Sequence, residues 1–258
     1  MSFLQNNKIS NGFIKLSGIA LVLVLWCIVY SLKLYSPLLI PSPVEVAKSL
    51  ISFISDYNLL IHLGATMVRI FAAFIVSAIF GIILGLLIGY YAIIDHSSEL
   101  LIDFLRSIPG IVLFPLFILF FGTSEVSRAL VAIFVAIPII IINTKYGVKN
   151  SNESRKNMRK IYKLGNLDFF KRVLIPESSP YIFTGLKVAL SFTIIIIIVT
   201  EMLLGTRYGL GRLLIISQYE FNTAMLFSII ILLGMIGLLF NLGFNLFERK
   251  TFHWRELE

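Results

Sequence analysis

Charge is scarce in this chain. Only 14% of its 258 residues are Asp, Glu, Lys or Arg, against about a quarter in soluble globular domains. That shortage excludes a water-exposed globule, which would lack the polar surface to coat it. Cysteine is scarcer still. Cys27 stands alone inside an apolar run, so an internal disulfide is excluded and the thiol reads as a small apolar side chain. The three histidines, His62, His96 and His253, fall outside the long apolar runs. An intramembrane enzyme would need clustered His, Asp or Glu at membrane depth, and the sequence offers no such constellation, nor a metal-ligand spacing. The phosphate loop G-x-x-x-x-G-K-[ST] is missing as well, so any ATP chemistry through that motif has to come from a partner.

Apolar residues are abundant, at 58%, and they fall in runs. About 20 residues at 1.5 Å each cross a hydrocarbon core roughly 30 Å thick. Six runs meet that length, predicting spans near 14–33, 65–91, 99–121, 125–146, 179–204 and 222–247. The first follows a short polar start with Lys8 and Lys15 and lacks a small-residue cleavage site, so it reads as a retained span and not a signal peptide. Between the first two, Ser42-Pro43-Val44-Glu45 predicts an N-cap with proline in the first turn, opening an amphipathic helix at the outer interface. Gly81, Gly85 and Gly89 repeat every four residues and predict one helix face on which a neighbour approaches closely. Asp95-His96-Ser97-Ser98 reads as a short turn, Pro109 and Pro115 interrupt the third span, and Gly205, Gly209 and Gly211 mark an irregular connection with room for a short helix to about 220.

The net charge of +8 is concentrated in one place. Lys149, Arg155, Lys156, Arg159, Lys160, Lys163, Lys171 and Arg172 crowd a segment with few apolar residues. No aromatic-basic platform for single-stranded nucleic acid accompanies them. The positive-inside rule puts this loop, about 147–177, in the cytoplasm. With six spans, both termini are then cytoplasmic, in agreement with Arg249, Lys250 and Arg255 in the tail. Met158, Ile161, Tyr162 and Leu164 are spaced as one apolar helical stripe. A second short helix, Leu167 to Leu174, would set Phe169 and Phe170 against it, and Pro176 would end the unit. Such a hairpin suits docking to a soluble partner, or it rests on anionic headgroups.

The loop resembles the coupling segment of binding-protein-dependent ABC permeases, particularly the sulfonate, taurine and nitrate group. Members carry a Glu-Ala-Ala signature, then a Gly, then a Leu-Pro pair. Here Ile175-Pro176 takes the place of the pair, and Phe170 that of a common aromatic. Asn157, Met158 and Arg159 stand where Glu-Ala-Ala is expected, Lys163 replaces the glycine, and Gly165 follows two residues later. Other segments match in order: Leu39-Ile40-Pro41-Ser42-Pro43, Leu105-Arg106-Ser107-Ile108-Pro109, Phe121-Gly122, Ile142-Asn143-Thr144, and Glu201-Met202-Leu203-Leu204-Gly205 with Tyr208-Gly209-Leu210-Gly211.

The resemblance implies an all-α integral membrane protein with the type I ABC importer permease fold, forming one transmembrane domain over 1–258. It implies a second permease copy, a cytoplasmic ABC ATPase dimer and an extracytoplasmic solute-binding protein, in the cell membrane of a prokaryote. The permease itself would do no covalent chemistry and hold no cofactor. Asn157, Met158, Arg159, Tyr162, Lys163, Gly165, Phe169, Phe170 and Pro176 would form the ATPase-docking segment. The solute would be small and polar, of the sulfonate, taurine, nitrate or vitamin-precursor class, moved by alternating access. The alternative from another class is an ATP-independent secondary transporter or channel, which predicts internal repeats; no convincing repeat is present.

Four residues are candidates for the pathway. Arg106 is three residues from Asp103, close enough for an interfacial pair on one face, or it lies near the pathway. Glu201 ends an apolar run and must face protein or water. It lines the outer mouth, or it accepts hydrogen bonds from the Gly205–Gly211 turn. Asn143 and Thr200 add polar groups that either line the pathway or bond to their own helix.

Overall fold

The computed structural model describes residues 8–150 and 165–251. Every regular element among them is helical, as lipid demands of a backbone that must satisfy its own hydrogen bonds. The helices are α1 (Lys8–Ser31), α2 (Pro43–Ile54), α3 (Tyr57–Tyr90), α4 (Ala92–Ser107), α5 (Phe114–Phe121), α6 (Glu125–Lys149), α7 (Asn166–Phe169), α8 (Ile175–Leu204), α9 (Leu210–Tyr219) and α10 (Thr223–Thr251). A 3-10 turn (Gly110–Leu113) precedes α5, and a π turn (Phe170–Leu174) joins α7 to α8. The chain divides into two compact units, residues Met1–Leu60 with Leu213–Leu233, and Ile61–Arg212 with Gly234–Glu258.

In the first unit, α2 begins as its sequence dictates. The Ser42 side chain accepts from the Glu45 N–H at 3.1 Å while the Glu45 carboxylate accepts from the Ser42 N–H at 2.9 Å, a complete capping box with Pro43 in the first turn. Val46 and Phe53 are buried, whereas Val44 and Ile51 are exposed. The Trp26 indole N–H donates to the Pro41 carbonyl at 3.1 Å and its ring stacks on Phe227. Ser228 donates to the Val46 carbonyl, fixing α2 against the first half of α10.

The second unit is built on α3, α6 and α8. The predicted glycine face is where α3 meets α6. A Cβ on Gly81, Gly85 or Gly89 would fall 2.7, 2.6 and 2.7 Å from the Cβ atoms of Ile140, Thr144 and Val148. Both rows advance by four residues, the pattern in which ridges of two helices interlock. On the other side, α6 packs along α8, with Gly185 against Asn143 and Gly147 against Tyr181. Ile70, Ala73, Val131, Ala132, Leu190 and Ile197 close the core among the three helices. Ile79, Phe80 and Ile83 on the outward side of α3 are more than half exposed, a surface that suits lipid.

Among the described residues, four helices are long and apolar enough to cross a membrane: Tyr57–Tyr90, Glu125–Lys149, Phe170–Leu203 and Thr223–Glu248. Ala92–Ser107 and Gly110–Phe121 together make a fifth span, bent by 85°. The predicted first span corresponds to α1, whose segment Ser17–Ser31 is a shorter apolar helix. Six is therefore reached only by counting both.

Several boundaries differ from expectation. Asp95–Ser98 is not a turn but part of α4, because Asp95 finds cationic partners that hold it in the helix. The second span starts at Tyr57, so His62 lies within α3 and His96 within α4. The third span is two helices and not one, and the break falls at Pro109. Pro176 does not end the coupling unit. It sits in the first turn of α8, where no donor is needed, and the π turn carries the chain continuously into that helix. Residues 151–164, which hold the predicted apolar stripe, lie outside the described residues.

Candidate functional site

Arg69 lies in the N-terminal half of α3, in an otherwise apolar stretch, and its charge must be met. Its Nη1 donates to the Glu201 carboxylate at 2.6 Å and to the Tyr208 carbonyl at 2.7 Å. Its Nε and Nη2 grip both oxygens of Glu125 at 2.6 and 2.8 Å, the bidentate fork that guanidinium geometry favours. Arg128 reaches the same Glu125 at 3.0 Å. Two arginines from α3 and α6 thus meet two glutamates from α6 and α8.

Glu201 is fully buried. Besides Arg69, it accepts from Thr66 Oγ1 at 3.0 Å and from the Gly211 N–H at 2.9 Å. Thr66 in turn accepts from the Leu210 N–H at 2.9 Å. The Gly209 N–H donates to His62 Nδ1 at 3.0 Å, and Tyr208 meets the His62 ring edge-on. The turn at 208–211 is therefore bonded to α3 and α8 by backbone and side chain together. Glycine is required in it. Gly209 has φ of +157° with the Glu201 carboxylate where a Cβ would go, and a Cβ on Gly211 would fall 2.3 Å from the Ile198 carbonyl. Of the two roles open to Glu201 in the sequence, the structure has its carboxylate accepting from this turn.

The opposite end of α6, some 24 residues and roughly 36 Å away, carries a different arrangement. Asp95 of α4 is buried and faces the ammonium groups of both Lys145 and Lys149. Arg106 pairs with Asp103 at 3.1 Å, and both are more than half exposed. Asp103, Arg106, Lys145 and Lys149 border a small cleft of about 140 Å³ that also takes in Tyr146 and Glu99. Nearby, Phe169 is buried with Leu86, Val148, Leu174 and Ile182, and Phe170 contacts Tyr90 edge-on at 4.7 Å.

The predicted residues are thus scattered. Glu201 and Thr200 lie at the Glu125 end of the bundle and Arg106 at the Lys149 end. Asn143, in the C-terminal half of α6, donates to its own helix at the Ile139 carbonyl, and Thr200 donates to the Ile197 carbonyl, the own-helix bonding such residues often adopt. Gly165 is exposed. Phe169 is spent on the chain's own core. Asn157, Met158, Arg159, Tyr162 and Lys163 lie outside the described residues. Sequence pattern alone does not mark Arg69, Thr66, His62, Arg128 and Asp95 as members of these clusters. For Arg69 and Arg128 the signal was present: a cation inside an apolar run needs an anion at the same depth, and Glu201 and Glu125 are the acidic residues at the matching ends of their helices.

Residues 77–253 match the family described as binding-protein-dependent transport system inner membrane component. The nitrate import permease protein NrtB of Leptolyngbya laminosa is 33% identical over 72% of this chain and 67% of its own. The taurine transport system permease protein TauC of Escherichia coli K12 is 26% identical over 98% of both. Among solved structures, an inward-facing conformation of the MetNI methionine ABC transporter shares the fold. Its TM-score is 0.62 at 18% identity, over 76% of this chain and 99% of the other.

Proposed function

The chain belongs to the family of binding-protein-dependent transport system inner membrane components, and on that premise we propose how it works within an ATP-driven importer. It is the membrane-spanning permease. Two copies form the pathway, two cytoplasmic ATPase subunits supply the energy, and an extracytoplasmic binding protein delivers the solute. The whole chain acts as one permease domain and carries out no covalent chemistry. The match over 177 of 258 residues (77 to 253) carries this reading. The named nitrate and taurine permeases support a small polar solute of the nitrate, sulfonate or related class.

The basic loop lies in the cytoplasm with both termini, so the Glu125 end of the bundle faces outward and the Lys149 end inward. The 153–176 segment is the coupling element. Asn157, Met158, Arg159, Tyr162, Lys163 and Gly165 supply its docking surface, while Phe169 and Phe170 root it on Tyr90 and the core of α8. Pro176 starts the helix through which the segment moves the bundle. ATP drives the switch because the closed ATPase dimer binds one of the two permease states better than the other. In that switch the knot around Glu201 travels as one piece. Arg106, at the inner rim, lies closest to the coupling segment's side of the membrane.

Co-purification tests the reading. The chain is expressed with the ATPase encoded beside it and extracted in mild detergent. A stable complex is expected, and Arg159→Glu with Lys163→Glu is expected to dissociate it while leaving the chain folded. A chain that never retains the ATPase would sink the proposal. It would favour an ATP-independent transporter, for which the helix break at Pro109 is the feature to cite.

A further inference from the structure

Lys187 lies well inside α8. Its neighbour Gly185 packs on Asn143, and Ala189 packs with Ala136 and Ile140. Lys187 is thus level with the middle of the 136–143 stretch of α6, about 22 Å from the first residue of that helix and about 14 Å from its last. A cation at such depth is costly unless it faces an anion or water. Arg69, Arg128 and Lys145, the other cations inside α3 and α6, each face a carboxylate. Lys187 does not. It takes part in none of the ion pairs among the described residues. Its ammonium donates instead to the neutral Asn245 Oδ1 of α10.

That pairing leaves donors over. An ammonium has three N–H groups, and an amide that accepts through its oxygen still offers two N–H donors. Both residues are only half-buried. Thr184 and Ser191, one turn to either side of Lys187 on α8, are exposed, and their hydroxyls donate to the Pro180 and Lys187 carbonyls of the same helix, which leaves their oxygen lone pairs facing out. The opposite side of the helix buries Ala189, Leu190 and Thr193. A polar stripe of Thr184, Lys187 and Ser191 therefore lies along an open side of a membrane-depth helix, with the spare donors and the net positive charge at its centre, on Lys187 and Asn245.

We propose that Lys187, backed by Asn245, is an oxoanion subsite on the translocation pathway, taking a sulfonate, nitrate or oxoanion of similar size. This rests on the reading of the chain as a permease and narrows its solute to anions. The positive charge stands at the level the solute passes midway through the membrane, and Asn245 supplies orientation without neutralising it. The Arg69–Glu201 knot is ill suited to this task, because its arginines are already matched by two carboxylates.

The test reads the local field and does not depend on transport. In the full chain, within its ATPase complex in phosphatidylcholine vesicles, Cys27→Ser removes the native thiol and Ser191→Cys reports on the stripe. An anionic sulfonatoethyl and a cationic trimethylammonioethyl methanethiosulfonate are used to modify it. With Lys187 present, the anionic reagent is expected to gain roughly tenfold over the cationic one, relative to Lys187→Gln. Methanesulfonate or nitrate should slow modification only when Lys187 is present. Thr184→Cys, read in the same way, guards against a misfolded Ser191 variant. Cysteines unreactive to both reagents would mean a lipid-sealed face and would overturn the inference, as would a rate ratio indifferent to Lys187. Protection by phosphatidylglycerol vesicles but not by free anions would also overturn it, assigning the lysine to a lipid headgroup. ATP-driven uptake that persists beside an indifferent ratio fails the subsite alone. A responsive ratio in a complex that moves no solute fails the transport reading alone.

Discussion

The two ends of the α3–α6–α8 bundle use the same chemistry to opposite effect. At the Glu125 end, four charged side chains share a site with Thr66, His62 and the backbone of residues 208–211, and Glu201 has no exposure at all. At the Lys149 end, Asp95 is buried, but Lys149 is about half exposed, and the Asp103–Arg106 pair stands in the open. A buried carboxylate bound by an arginine and two further donors is locked in place, since releasing any partner leaves a charge in low dielectric. Exposed pairs exchange readily with water and contribute little. One end is thus fixed and the other adaptable, as expected if the second end is the one the ATPase moves.

Arg69→Met attacks the fixed end most directly. It leaves Glu201 buried without a cation and is expected to cost about 3–5 kcal/mol, read as a large fall in the unfolding temperature of the detergent-solubilised chain. Gly211→Ala is expected to follow at about 1–3 kcal/mol, because the new methyl meets the Ile198 carbonyl and displaces the N–H that Glu201 binds. A loss as small as that of a surface substitution would show that the turn is not held as described. At the other end, Asp95→Asn is expected to cost about 1–2 kcal/mol, less than at Arg69 because Lys149 is about half exposed and can turn to solvent while Lys145 stays mostly buried. That loss should shrink further in high salt. Asp103→Asn comes last, at a few tenths of a kcal/mol. A double-mutant cycle on Asp103 and Arg106 that matched one on Arg69 and Glu201 would erase the contrast between the ends.

Much of this was legible in the residues. The four-residue repeat of Gly81, Gly85 and Gly89 announced the α3–α6 contact, and Ser42 with Glu45 announced the start of α2, because both depend on local spacing. Glu201 was legible as a residue needing partners, and the Gly205–Gly211 turn as one of them. Its cation was not, because Arg69 is 132 residues away and nothing in local pattern links the two. Asp95 misled for the same reason. In sequence it opens a polar tetrapeptide that reads as a turn, and only the lysines of α6 explain why it stays helical. Pro176 misled through its context: proline stops a helix that precedes it but is at ease in the first turn of one that follows. The predicted docking residues between 157 and 163 lie outside the described residues, so their role rests on the proposal alone.

The most direct test of the account is solute uptake into liposomes. The chain is reconstituted with its ATPase and binding protein, and nitrate and taurine are offered as labelled solutes. Accumulation of one of them is expected only when all three proteins and ATP are present, and none with the permease alone. Uptake by the chain without ATPase or nucleotide would contradict it.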